Sequence, residues 1–250
     1  MLASSAGTPQ EIDRRIAELA PYFAKGTPGQ RASAYNALLE LGPELISRLP
    51  ALLKETESAA LVFYANAARE LKAASVIPAI IARLDSKKKK IALVEMLRAL
   101  TAVEDPKALD FVFNATQSKD VRINAAAWEA VGPNMTAKQL ESMLKVVLSG
   151  SPQALSAAGA LARYAGDTSK TSEVIRALQN APSGSSDKVR IAIVTALGQM
   201  DPAAANSVLM TMSSDSNPQV RALALKGLVR DPAQRDVIVT TLRNPEEHEV

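Results

Sequence analysis

Apolar residues recur along this chain at helical spacing. Val220, Leu223, Ala224, Gly227 and Leu228 stand at i, i+3, i+4, i+7 and i+8, and Val189, Ala192, Ile193, Ala196 and Leu197 stand at the same offsets. That spacing gathers them into one stripe of an amphipathic helix. Each stretch then meets Asp-Pro, at 201–202 and at 231–232. The aspartate caps the next helix, and proline suits a first helical position because its missing N–H would find no partner there. A second apolar run follows each time, "AAANSVLMTM" and "AQRDVIVTTL". The pattern therefore predicts helix, stop, helix, written twice.

Looser copies precede these two. "KDVRINAAAWEAVGP" keeps Val121, Arg122 and Pro133; "GQRASAYNALLELGP" keeps Arg31 and Pro43; and Lys90 with Pro106 holds the same places in "KKKKIALVEMLRALTAVEDP". Blurred copies lie near Val62 and Leu155. Positions 31, 62, 90, 122, 155, 190 and 221 thus mark seven units with a period of about 32 residues. A lone helix pair cannot bury both faces, so units of this length stack and share a core. The second helices are predicted to begin near Pro43, Val76, Pro106, Thr136, Ser172, Pro202 and Pro232.

The unit has Asp before its first helix, Val-Arg at the start of that helix and Pro opening the second. In this it resembles a HEAT repeat over residues 27–244, most closely in the last two units. The resemblance implies an all-α, right-handed α-α superhelix, a solenoid of about seven HEAT-like helix pairs. It also implies a hydrogen-bonded ladder between units, carried here by Asp120, Arg122, Asp187, Arg190, Asp215 and Arg221. That structural role is preferred to phosphate binding for these arginines. Residues 9–25 read as one amphipathic helix with Ile12, Ile16, Leu19 and Phe23 on a face, an N-terminal cap on the first repeat. Residues 245–250 read as a polar tail, and residues 180–188 as the longest internal loop.

Composition sharpens this picture. The chain has 250 residues, 47% hydrophobic and 22% charged, which suits a soluble protein with ample core, read as one solenoid domain over 1–250. Aromatics are 4%, and abundant alanine favours closely packed helices. There is no cysteine, which excludes disulfides and cysteine chemistry. No apolar stretch is long enough to span a membrane. "MLASSAGTPQ" fits a natural start, giving a cytoplasmic protein, or a stub left by a removed signal or anchor, giving an exported one.

Candidate chemistry is sparse. The one histidine, His248, lies in the tail, where a Ser-His-Asp triad cannot be anchored. Neither G-x-x-x-x-G-K-[ST] nor G-x-G-x-x-G occurs. Three catalytic relatives of the resemblance were weighed. Deoxyhypusine hydroxylases carry several iron-binding His-Glu pairs, and here the sole pair is His248-Glu249. HEAT-like DNA glycosylases line a groove with tryptophans, and here the one tryptophan, Trp128, stands on a helix's packed face. A phycobilin-lyase-like subunit is the remaining enzymatic alternative. The sequence therefore predicts no catalytic residue, cofactor or metal, and a non-enzyme.

Charge then points to a partner surface. Net charge is +3, from 29 basic and 26 acidic residues, too small an excess to indicate nucleic acid. The one sharp run is Lys87, Lys88, Lys89 and Lys90. Arg48, Arg83, Lys145 and Arg176 are expected to face outward from second helices, on the concave surface. Met210 and Met212 are assigned to the core, with an adaptable apolar contact as the alternative. The expected function is a non-enzymatic scaffold or adaptor that binds a protein or extended peptide on that surface. A nucleic-acid or anionic-surface binder is the alternative.

Overall fold

The computed structural model describes residues 8–56, 58–86, 91–132, 134–166, 168–180 and 185–243. Among them the regular structure is helical: α1 (Pro9–Lys25), α2 (Pro28–Leu39), α3 (Pro43–Glu55), α4 (Ala60–Glu70), α5 (Ile77–Asp85), α6 (Leu93–Ala102), α7 (Pro106–Ala115), α8 (Val121–Ala130), α9 (Ala137–Leu148), α10 (Ala154–Tyr164), α11 (Thr168–Gln179), α12 (Asp187–Leu197), α13 (Pro202–Met212), α14 (Pro218–Leu228) and α15 (Pro232–Arg243). One 3₁₀ turn, Ala74–Val76, leads into α5. The fold is the expected all-α solenoid of stacked helix pairs. The chain forms two compact units, residues 1–130 and 131–250.

Local chemistry sets where the helices begin. Proline stands in the first turn of α3, α7, α13, α14 and α15. Asp105 and Asp201 accept the N–H of Ala108 and Ala204, each at 2.9 Å. Thr136 and Gln139 close a reciprocal capping box on α9, which supplies two N–H groups that the helix itself leaves without partners.

In unit 1–130, α4 packs on α6, α6 on α8, and α3 on α5. Helix α1 packs on α2 and α4. It buries Ile12, Ile16 and Phe23, and Phe23 stacks on Phe63 with ring centroids 4.4 Å apart and meets Tyr64 edge-on at 6.0 Å. Three turns between paired helices use the left-handed region, at Gly42 (φ +52°), Lys72 (φ +46°) and Glu104 (φ +61°). Glycine adopts it without cost; for Lys72 and Glu104 it is strained. These two side chains join across consecutive repeats, Lys72 Nζ to Glu104 Oε1, at 3.1 Å.

In unit 131–250, α10 packs on α12, α12 on α14, and α11 on α13. A Cβ on Gly227 would stand 2.9 Å from Leu209 Cδ1 and 3.1 Å from Gly198 Cα. The absence of a side chain at both glycines is what lets α12 and α14 approach this closely.

Guanidinium groups tie repeat to repeat. Arg83 Nη1 donates to the Leu53 and Lys54 carbonyls at the end of α3, both at 3.1 Å. Arg163 Nε donates to the Val131 carbonyl at 3.0 Å. Arg230 Nη1 donates to the Gly198 and Met200 carbonyls that follow α12. Helix ends expose such carbonyls, and a cation there also meets the negative end of the helix dipole.

Two placements differ from the sequence expectation. Val121, aligned with the buried Val189 and Val220, is 78% exposed. It opens α8, whereas Val189 and Val220 are each the third residue of their helices. The copy is out of step by two positions, which turns the side chain outward. Met210, assigned to the core, is 48% exposed on α13, whose buried residues are Ala205, Val208 and Leu209.

Replacing Arg83 with Ala is expected to lower stability by about 2 kcal/mol or more, because it opens space in the core and leaves buried carbonyls short of a donor. Urea denaturation followed by circular dichroism measures it. A midpoint equal to that of the parent would refute the assigned role.

Candidate functional site

The residues that the resemblance assigned to a ladder occupy three settings. Around Arg190 the bonds reach from one helix pair to the loop before the next: Nε reaches Asp215 Oδ2 at 2.9 Å and Nη2 reaches Asp215 Oδ1 at 3.1 Å. Nη2 also reaches Asp187 Oδ1 at 2.9 Å, and Asn217 donates to Asp187 Oδ2 at 2.7 Å. Arg221 bonds only nearby in the chain, to the carbonyls of Asp215 at 2.8 Å and Ser216 at 3.0 Å. Asp120 and Arg122 pair with each other at 2.8 Å. The Arg122 hydrogen bond holds the Asp120 carboxyl at about 2, well below its ordinary value. Burial alone would raise the Asp215 carboxyl; the bond from Arg190, the Asn217 N–H and the nearby guanidinium charges outweigh it and lower it.

The expected partner residues divide as well. Lys87, Lys88, Lys89 and Lys90 lie outside the described residues, as does His248. Arg83 is 3% exposed and occupied with the end of α3, so its assignment to an outward surface is corrected. Arg48 is half-buried, with Nε on Asp13 Oδ1 at 2.7 Å. Lys145 and Arg176 are exposed; Lys145 pairs with Glu141 at 2.8 Å. Arg176 has no ion-pair partner among the described residues.

Helical register explains the division. On each second helix, a residue two positions after one buried residue and two before the next faces away from the core. In unit 1–130 these places hold Ser47 (between Leu45 and Leu49), Ala82 (between Ile80 and Leu84) and Asp110 (between Ala108 and Val112). In unit 131–250 they hold Lys145 (between Met143 and Val147), Arg176 (between Val174 and Leu178) and Met210 (between Val208 and the half-buried Met212). Arg48 and Arg83 stand one position further on. At about 100° per residue, that carries them off the outward line. Ser47 and Asp110 stand fifth in α3 and α7, whereas Lys145, Arg176 and Met210 stand ninth in α9, α11 and α13. The ninth places of α3, α5 and α7 hold the exposed Ala51, Asp85 and Asn114, so that row is uncharged to acidic in the first unit and basic with an exposed methionine in the second.

Grooves flank α1 on both sides. One of about 420 Å³ lies against α2, with Leu19 and the exposed Tyr22 facing Gly29, Ser33 and Ala37. The other, about 270 Å³, lies against α3 and contains Arg48, Asp13 and Tyr64. Tyr22 and Tyr64 escaped the sequence reading, which weighed charges on second helices and apolar residues only as core. Among the described residues no group of three or more His, Cys, Asp or Glu side chains is placed to hold a metal. No helix among them is long and apolar enough to cross a membrane.

No family model matches the sequence, and no curated protein matches it. Among solved structures, human deoxyhypusine hydroxylase in complex with glycerol is similar, with a TM-score of 0.39 and 20% identity over 96% of this chain and 98% of that chain. Two expectations are corrected by this finding. The chain was read as a non-enzymatic scaffold, and as no enzyme, because stacked helix pairs with few catalytic side chains suggested adhesion alone. The similar solved structure is that of an enzyme, a hydroxylase, and fold does not decide function. Neither expectation stands.

The lowered Asp215 carboxyl has a consequence for acid stability. A group whose value is depressed on folding contributes above its unfolded value, near 4, and that contribution is lost as pH falls through the folded value. Asp215→Asn is therefore expected to lower the urea midpoint at pH 7 (~7), and the gap between variant and parent should close towards pH 2 (~2). A gap of equal size at both ends would assign the loss to packing instead.

Proposed function

We propose that the second-helix surface of residues 131–250 binds an acidic, extended stretch of a partner polypeptide. The observation that carries this reading is Arg176, which is exposed on α11 with no ion-pair partner among the described residues. Lys145 and Met210 support it, because they hold the same outward position on α9 and α13. Packed helices stand roughly 8–10 Å apart, and an extended chain advances about 3.3 Å per residue. Acidic side chains about three residues apart therefore match cations on successive helices. Beyond them, the exposed thioether of Met210 takes an apolar side chain; methionine adapts its shape to irregular partners. The uncharged run of α13 surrounds that contact with Ala203, Ala204, Ser207 and Thr211.

The test uses a labelled peptide carrying two glutamates separated by two residues, with a leucine the same interval further on, and fluorescence anisotropy against the full chain. Charge reversal at Lys145 and Arg176 together is expected to weaken binding by at least about tenfold, equivalent to ~1.4 kcal/mol. Met210→Asp is expected to weaken it by a similar factor. Equal affinity for the glutamine version of the peptide would overturn the reading, and so would preferential binding of nucleic acid with a steep salt dependence.

A further inference from the structure

The groove between α1 and α3 has the composition of a small-molecule site. Its apolar wall is formed by Ile16 and Ala17 on α1 and Ala51 and Leu52 on α3. Two polar groups line it as well. Tyr64 is 2% exposed, its ring held edge-on against Phe23, and its hydroxyl makes no hydrogen bond among the described residues. Burial also raises its pKa, so the group remains an O–H donor through the neutral range. Arg48 lines the same groove. Its guanidinium gives Nε to Asp13 at 2.7 Å, one Nη1 bond to Ser47 Oγ at 3.1 Å and one Nη2 bond to the Pro9 carbonyl at 3.5 Å. The other N–H of each Nη nitrogen is available to a ligand.

An O–H donor and a cation sharing an apolar groove are complementary to one chemistry above others: an anion on an apolar body. A volume of about 270 Å³ is close to the lower end of the usual range for ligand pockets, roughly 300 Å³. We infer that the α1–α3 groove binds a small apolar carboxylic acid, with its carboxylate on Arg48 and Tyr64 and its tail against Ile16, Ala17, Ala51 and Leu52. Asp13 is the groove's own carboxylate partner for Arg48, so an entering acid shares or displaces an exposed ion pair. Such pairs contribute little on their own. The site lies wholly within residues 1–130 and is independent of the peptide surface proposed above.

Calorimetric titration of the full chain with octanoate tests the inference. Saturable one-to-one binding is expected, with octanol, which lacks the carboxylate, at least about tenfold weaker. Arg48→Gln should weaken octanoate by at least a similar factor. Tyr64→Phe should weaken it severalfold while leaving the urea midpoint equal or higher, because the variant removes only a hydroxyl that is unpaired in the free protein. Equal affinity for octanoate and octanol would overturn the site, as would absence of saturable binding. A lowered midpoint for Tyr64→Phe would show that the hydroxyl serves the fold instead. Tight binding of a leucine-terminated peptide without any of octanoate would replace the free acid with a chain terminus and so also overturn it.

Discussion

Every helix leaves its last carbonyls without an intrahelical donor, and the fifteen α-helices among the described residues multiply that problem. The recurrent solution here is an arginine borrowed from later in the chain. Arg83 serves the end of α3, Arg163 serves Val131, and Arg230 serves the carbonyls after α12, from 29 to 32 residues away. Apolar stacking is non-directional and tolerates sliding; a fork of N–H groups on named carbonyls does not. These contacts therefore fix the register in which one repeat sits on the next. They also consume cations. A guanidinium satisfying buried carbonyls is lost to any partner, so the number of basic residues in the chain says little about how basic its surface is.

Much of the fold was legible because its signals are local. Asp-Pro and Thr-x-x-Gln fix helix starts through bonds spanning a few residues, and α7, α9, α13 and α15 begin where those signals stand. Where the signal is missing the boundary drifts: α11 starts at Thr168, four residues before the expected Ser172. Faces were harder to read than boundaries. One position rotates a side chain by about 100°, so an error that scarcely matters for a boundary moves Arg83 from solvent to the interior. Val121 failed for the same reason in the opposite direction. Met210 failed because apolar character was equated with burial, although folded surfaces carry much apolar area.

Function was less legible, and the reason is physical. Repetition records what every unit must do, which is stack. Activity depends on the positions that stacking leaves free, and these need not repeat. The outward row shows this directly. The ninth place of the second helix holds Ala51, Asp85 and Asn114 in one compact unit and Lys145, Arg176 and Met210 in the other. The periodic pattern could not announce that difference. Nor could it decide between adhesion and catalysis, since both are compatible with helices that pack in this way.

Tyr64 shows the same division within a single side chain. Its ring belongs to the fold, closing an aromatic cluster with Phe23 and Phe63 beneath the capping helix. Its hydroxyl does nothing for that packing. The two phenylalanines beside it show that a phenyl ring suits the cluster. A hydroxyl that packing does not require, at the wall of a groove that also holds Arg48, is better explained by a ligand than by the core. In a repeat protein, where most side chains are accounted for by stacking, such a residue is most informative for what stacking leaves unexplained.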